Sequence, residues 1–278
     1  MKNNTKGRFG SGKTRPVWET DGMISPDELM RDLGYEVEAG DVKASQHDRT
    51  TKIENKNERV IAIVFAKDIS GSMNLALRQE VDSFNETMIP GLMGVEKVKR
   101  RTIRASVTTF AEKIRPIRPG LLTLSELKSA PLTVGELLAL PNRGATSLYQ
   151  AMISSIRFLE RREKMMFARK ELNHPMKKIV VISTDGANNM PPLYASAVLA
   201  ERERVLSLIQ GRNARDCWQF VLAYFDTDGG LTKSKFGQIC KDTGFEGYFF
   251  DRCDSNMTPQ QMFRHNFDFF SKNVTGRI

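Results

Sequence analysis

Recurring apolar segments constrain the fold of this 278-residue chain more than any other feature. Residues 60–66 contain no polar side chain, which is typical of a strand that is covered on both faces in a parallel sheet. Similar segments recur at residues 105–110, 179–182, 220–225 and 248–250. Because stretches with helical periodicity lie between them, the sequence predicts an α/β fold, with a doubly wound, mostly parallel sheet and helices on both faces.

Apolar residues that repeat at intervals of three and four predict helices in three places. One begins near Leu148, and a second ends before Gly211. A third begins at Pro259, because proline suits the first turn of a helix. Between residues 113 and 141, four prolines interrupt the pattern. There we expect a short edge strand near residues 113–117, followed by irregular structure with a short helix.

Residues 1–58 differ in composition from the rest, with little apolar periodicity and many Asn, Lys, Asp, Gly and Thr. We expect an N-terminal arm that is disordered or ordered by a partner, and a folded domain over residues 59–278. Residues 7–14 match the phosphate-binding pattern G-x-x-x-x-G-K-T. That loop needs a strand before it and a helix after it, whereas a polar segment precedes it here and Pro16 follows, so we expect no nucleotide site.

The charge of the chain is unevenly distributed. Its net charge of +9 makes contact with an acidic surface physically reasonable. A basic tip is followed by an acidic stretch that contains Glu19, Asp21, Asp27, Glu28, Asp32, Glu36, Glu38 and Asp41. Two later basic clusters form solvated faces or bind nucleic acid, although they lack interleaved aromatic residues for base stacking. The clusters are Lys97, Lys99, Arg100, Arg101 and Arg104, and Arg161, Arg162, Lys164, Arg169 and Lys170.

The sequence also bears on the cellular compartment. No apolar run reaches the roughly 18 residues that a membrane helix needs, and the N-terminus lacks the apolar core of a signal peptide. The cysteines Cys217, Cys240 and Cys253 lie far apart, which is usual in a reducing compartment. We therefore expect a cytoplasmic protein or a virion component that makes no contact with a membrane.

A group of polar residues directly follows the first apolar segment. The sequence K-D-I-S-G-S-M places Asp68, Ser70 and Ser72 at alternate positions, and Gly71 permits a tight turn. Ligands of open α/β sheets bind beyond the carboxyl ends of the strands. A carboxylate and two hydroxyls offer only oxygen, which suits Mg²⁺, Mn²⁺ or Ca²⁺. Taken alone, the same pattern also suits a capping cluster at the start of a helix.

Two later segments extend this pattern. The sequence N-R-G-A-T-S at residues 142–147 precedes the helix that begins near Leu148, and S-T-D-G at residues 183–186 ends a predicted strand. Together the three segments resemble the metal-ion-dependent adhesion site of von Willebrand factor A domains. That site has D-x-S-x-S after the first strand, a G-x-T loop, and Asp-Gly after the fourth strand. The resemblance covers roughly residues 59–273.

The resemblance implies a role for each residue. Ser70 and Ser72 would bind the cation directly, and Asp68 and Asp185 would bind it directly or through water. Thr146 would coordinate the cation in one of two states between which the family switches. Lys67 departs from the family, which usually has an apolar or small residue there. Its side chain either forms an ion pair at the rim of the sheet or extends to water.

The resemblance also implies a function, of an intracellular bacterial or phage type. We expect Mg²⁺, or Mn²⁺ or Ca²⁺, to bind an Asp or Glu of a protein partner. Such proteins act as adaptors or assembly components, beside an ATPase or in stress, metal-resistance or phage-related systems. We expect no enzymatic activity, because the three histidines assemble no nucleophile, base and orienter. The alternative is a nucleic-acid-binding protein that uses the basic surface of a von Willebrand-like domain.

Overall fold

A computed structural model of the chain describes residues 59–140, 143–186, 195–210, 212, 217–226, 231–250, 257–276 and 278. The predicted N-terminal arm, residues 1–58, and the sequence match to a phosphate-binding loop within it lie outside these ranges. Among the helices in these ranges, none is both long enough and apolar enough to cross a lipid bilayer.

Within the described residues, six strands form one sheet in the order β3-β2-β1-β4-β5-β6. Every neighbouring pair is parallel except β2 and β3, which are antiparallel. All eight residues of β1 are buried, which accounts for the unbroken apolar segment in the sequence. The predicted doubly wound α/β fold is therefore confirmed. The strands are β1 Ile61–Asp68, β2 Ile103–Phe110, β3 Ile114–Thr123, β4 Lys177–Thr184, β5 Trp218–Phe225 and β6 Glu246–Phe250.

Helices cover both faces of the sheet. The described helices are α1 Leu77–Ser83, α2 Ile89–Lys99, α3 Leu124–Ser129, α4 Val134–Leu138, α5 Leu148–Ala168, α6 Ala195–Gln210, α7 Lys233–Thr243 and α8 Pro259–Gly276. On one face, α5, α6 and α7 enclose a core that includes Met152, Val205 and Phe236. On the other face, α1, α2 and α8 enclose a second core that includes Leu77 and Phe267.

The region after β2 differs from the prediction of a short edge strand followed by irregular structure. The edge strand β3 is ten residues long and contains Pro116 and Pro119. An edge strand tolerates proline because only one side of it must donate hydrogen bonds, and the β2–β3 register shifts twice to accommodate the irregularity. Two short helices follow instead of one, and each begins with a capping box, at Thr123 and at Thr133. The sequence signal for both was Thr-x-x-Glu.

Apolar periodicity also failed to identify α1, α2 and α7. A π-helical turn, Phe84–Met88, joins α1 to α2, and its extra residue per turn displaces the apolar repeat. In α7, the described buried residues are only Phe236 and Thr243, so the apolar pattern is too sparse to recognise.

Candidate metal centre

Three polar loops meet at the carboxyl ends of the parallel strands. The first begins at Asp68, the second, or threonine loop, contains Thr146, and the third contains Asp185. Asp68 is the last residue of β1, and Asp185 directly follows β4. These strands are parallel neighbours, so their carboxyl ends lie side by side. The chain leaves β1 towards β2 on one side and leaves β4 towards β5 on the other, which makes this the switch point where open α/β sheets bind ligands. Thr146 lies just before α5.

Hydrogen bonds connect the residues of the first and third loops. The Ser70 backbone N–H donates to Oδ1 of Asp68 over 2.8 Å. The Oγ atoms of Ser70 and Ser72 are 3.1 Å apart, and Ser72 Oγ donates to Oδ1 of Asp185 over 2.9 Å. Thr184 Oγ1 donates to Oδ2 of Asp68 over 2.6 Å. Four of the five predicted residues thus form one contact chain, and Thr184, to which the sequence assigned no role, holds Asp68.

Thr146 packs against Gly186, the residue that follows Asp185. Its side chain is buried, and its Oγ1 would lie 3.2 Å from a Cβ added to Gly186. A larger residue at position 186 would therefore push against the threonine. Because Gly186 directly follows Asp185, the structure brings the threonine loop against the loop of the second carboxylate.

Arg143 joins the threonine loop to the first loop. Its carbonyl accepts a hydrogen bond from the Gly71 N–H over 2.8 Å. Its Nε donates to the carbonyl of Ile69 over 2.7 Å, and its Nη2 donates to Oδ1 of Asn74 over 2.6 Å. The sequence assigned no role to Arg143. These three bonds hold the loop of Ser70 and Ser72 in one position relative to Thr146.

The electrostatics of the centre are those of two buried carboxyl groups. Asp68 is fully buried, and burial raises the pKa of its carboxyl from 3.8 to about 7, with a further contribution from the negative charge of Asp185. Asp185 is also buried, whereas Ser72 is exposed, so the centre opens to solvent at Ser72. A cation at this position would relieve both the desolvation and the repulsion of the carboxylates.

The donor set suits a hard cation. The described residues contain no group of three or more His, Cys, Asp or Glu side chains that could hold a metal. A cation would therefore depend on the hydroxyls of Ser70 and Ser72 together with two carboxylates. All of these donors are oxygens, which favour Mg²⁺, Mn²⁺ or Ca²⁺ over softer metals.

Lys67 forms a buried ion pair behind the centre. Its Nζ lies 2.8 Å from Oε1 of Glu80, and both side chains are buried. The ammonium group also lies 4.6 Å from the ring centroid of Phe84, and Ser183 Oγ donates to the same carboxylate. Of the two interpretations drawn from the sequence, extension to water is wrong. The partner of Lys67 is Glu80 of α1. The sequence analysis did not identify this helix, so it could not name the partner.

Comparisons with known proteins give matches only among solved structures. No protein-family model matches the chain, and no curated protein shows significant similarity to it. A von Willebrand factor type A structure from Catenulispora acidiphila is 14% identical, with 79% of this chain and 43% of that chain covered and a TM-score of 0.49. The PilB minor pilin from Streptococcus sanguinis is 14% identical over 82% of this chain and 64% of its own, with a TM-score of 0.46.

A third similar structure is that of proximal thread matrix protein 1 from the mussel byssus, with a zinc-occupied MIDAS (metal-ion-dependent adhesion site) motif. It is 13% identical, with 78% of this chain and 48% of that chain covered and a TM-score of 0.43. The match spans less than two thirds of each of these three chains. The doubly wound sheet, with D-x-S-x-S at the end of the first strand, the threonine loop before α5 and Asp-Gly after the fourth strand, has the arrangement that the resemblance to von Willebrand factor A domains implied.

Proposed function

We propose that this protein is a divalent-cation-dependent protein–protein interaction module, an adaptor or assembly component that binds an acidic group of its partner. The observation that carries the proposal is the pair of buried carboxyl groups at the β1–β4 edge, with the pKa of Asp68 raised to about 7 beside Asp185. Burying two such groups without a cation is costly. Their proximity to Ser70 and Ser72 supports a bound Mg²⁺, Mn²⁺ or Ca²⁺.

The chemistry of the ligands supports binding of an acidic partner. Ser70 and Ser72 would supply neutral hydroxyl oxygens, while Asp68 already accepts two hydrogen bonds within the protein. Neutral ligands leave the cation much of its positive charge, and such a cation attracts a further carboxylate. Because Ser72 is exposed, an Asp or Glu side chain of a partner could reach the cation from solvent.

We propose a binding role and no enzymatic one. The centre offers hydroxyl and carboxyl groups, and no histidine is among its residues to act as a base for Ser70 or Ser72. The partner is a protein with an exposed Asp or Glu, and an associated ATPase or a larger stress-related or phage-related assembly belongs to the same proposal. The cytoplasmic location expected from the sequence agrees with such a role and stays a prediction.

Calorimetric titration with Mg²⁺ tests the cation site directly. We expect one bound ion per chain and no measurable binding after Asp68→Ala. Ser129→Ala is the control for loss of a polar side chain, because Ser129 is exposed at the end of α3, where its hydroxyl donates to the carbonyl of Glu126. Equal Mg²⁺ affinity in the Asp68→Ala variant and the wild type would contradict the assignment.

Capture of partners from the host cell, with and without EDTA, tests the interaction itself. A partner held through the cation is released by EDTA and resists moderate salt. Nucleic acid, the alternative expected from the net charge of +9, would show the opposite behaviour, because phosphate contacts weaken steeply with salt and do not depend on a chelator. A partner that EDTA leaves bound to the wild type would refute the metal-bridged mechanism.

A further inference from the structure

A concentration of positive charge lies at the amino ends of the parallel strands, opposite the end that carries the metal centre. We define the basic patch as Arg59, Lys97, Lys99, Arg100, Arg101 and Lys177. The Ile61 N–H donates to the carbonyl of Thr102 over 2.9 Å, and the Lys177 N–H donates to the carbonyl of Val60 over 3.0 Å. These bonds bring the starts of β1, β2 and β4 together. The patch therefore surrounds the point where the chain enters the sheet.

Four of the six basic residues of the patch, Lys97, Lys99, Arg100 and Arg101, form no ion pair with the described residues. The nearby carboxylate of Glu96 accepts a hydrogen bond from the Ile103 N–H. Burial and the positive charges of Arg101 and Lys99 together lower the pKa of Lys177. Like charges held this close raise the free energy of the domain, which an acidic occupant would offset.

The patch also exposes apolar surface. Val98, between two of the lysines, is 81% exposed, the largest value among the exposed large hydrophobic residues that the structure describes. By contrast, Arg104 and Arg162, which belong to the basic clusters seen in the sequence, are buried and contribute nothing to an open surface. An occupant that fits the patch would therefore combine several carboxylates with apolar side chains.

Such a segment is present in the same chain. Residues 19–41 contain eight Asp and Glu residues and a single Arg, together with Met23, Ile24, Leu29, Met30 and Leu33. They precede Arg59 by a linker, residues 42–58, which can extend to roughly 55–60 Å at about 3.3–3.6 Å per residue. Because the chain enters β1 at the basic patch, this linker is long enough to allow the acidic segment to return to it.

We propose that the acidic segment, residues 19–41, docks on the basic patch of its own chain. The inference rests on complementary charge and on the place where the chain enters the sheet, and it does not depend on the proposed function. A short tether makes the local concentration of the segment about millimolar, so even a weak attraction is sufficient for docking. The metal centre lies at the other end of the strands and stays accessible.

Zero-length carbodiimide cross-linking of the full chain tests the proposal. The protein is used as an equal mixture of ¹⁴N and ¹⁵N forms, so that cross-links within a chain are distinguished from those between chains. We expect cross-links within the chain from carboxylates of residues 19–41 to Lys97 and Lys99. They should exceed those to Lys233 and Lys235, exposed on α7, about fivefold, and fade as salt rises from about 0.05 M to about 0.5 M.

A charge-reversed variant serves as the second arm. Arg100→Glu with Arg101→Glu leaves the reactive Lys97 and Lys99 in place, so their cross-links to the acidic segment should fall about fivefold because of the lost attraction. Lys233→Glu with Lys235→Glu is the matched control, since it makes the same change in net charge away from the patch. Circular dichroism checks that both variants fold, and their Mg²⁺ affinity should match that of the wild type.

Three results would overturn the proposal. Cross-links spread evenly over exposed lysines would show that the segment does not prefer the patch. Cross-links found only between ¹⁴N and ¹⁵N chains would assign the patch to a second copy. Binding of a labelled single-stranded oligonucleotide that is lost in the Arg100→Glu/Arg101→Glu variant, with no cross-links to Lys97 or Lys99, would assign it to nucleic acid. Absence of Mg²⁺ binding by the wild-type protein would contradict the proposed function, and it would not affect the docking result.

Discussion

Replacing Asp68 with asparagine should stabilise the protein when no cation is bound. In the structure, Oδ1 of Asp68 accepts from the Ser70 N–H, and an amide oxygen can accept the same bond. At Oδ2, Thr184 now donates. Thr184 Oγ1 also lies 3.0 Å from the carbonyl of Gly186, so its proton can turn to that carbonyl while the asparagine amide donates to Oγ1. The variant therefore retains the hydrogen bonds and loses only the buried charge.

The raised pKa of Asp68 sets the size of the effect. A carboxyl whose pKa rises from 3.8 to about 7 on folding costs roughly 4 kcal/mol of stability once it is ionised, at about 1.36 kcal/mol per unit. The folded state binds more protons than the unfolded state between these two values. Stability is therefore full below the lower value and is lost as the pH rises through about 7. Denatured-state structure and water entry reduce the measured effect, so the figure is an upper bound.

Urea unfolding in EDTA, followed by circular dichroism, measures the difference. At about pH 8 we expect Asp68→Asn to exceed the wild type by about 2–4 kcal/mol, and near pH 4 the two should agree within about 1 kcal/mol. Asp82→Asn is the control, because the Asp82 side chain on α1 is 42% exposed and its loss should change stability by less than about 1 kcal/mol.

Added Mg²⁺ should remove most of this difference in stability. At a concentration of about one hundred times its Kd, the ion stabilises the wild type by about 2.7 kcal/mol and leaves the variant unchanged. An Asp68→Asn variant that is less stable than the wild type in EDTA at pH 8, or that gains as much stability from Mg²⁺, would refute the reasoning. A stability cost at a binding residue is a common consequence of function.

Further predictions concern the supports of the centre and of the fold. Lys67→Met should lower the free energy of unfolding in urea by about 3–5 kcal/mol, because it leaves the Glu80 carboxylate buried and without its cation. The double variant Lys67→Met with Glu80→Leu should recover most of that loss. Equal stability of the single and double variants would contradict this. Gly186→Ala should displace Thr146 and lower the Mg²⁺ affinity measured by calorimetry about tenfold. The free energy of unfolding should change by no more than about 1–2 kcal/mol. Unchanged Mg²⁺ affinity would show that Thr146 is not part of the metal site. Thr123→Ala should cost about 1 kcal/mol of unfolding free energy through the lost helix cap, an effect that Mg²⁺ should not alter.

The sequence by itself determined the class of fold. The all-apolar segment before Asp68 must be covered on both faces, and that requirement, repeated along the chain, is sufficient to predict a parallel sheet between helices. It also determined that Asp68, Ser70 and Ser72 lie at the carboxyl end of one strand and Asp185 at that of another, because position relative to a strand end is a local property of the chain. The types of ligand atom, and hence a preference for hard cations, follow from composition alone.

Only the tertiary structure decided which strand ends meet and what lies behind them. Asp68 and Asp185 are 117 positions apart, and they approach each other because β1 pairs with β4. That pairing is a long-range contact that no local pattern specifies. The same contact places Lys67 opposite Ser183, where Glu80 of α1 reaches both side chains. The raised pKa of Asp68 has the same origin, since desolvation and the field of a distant carboxylate exist only once the chain has packed.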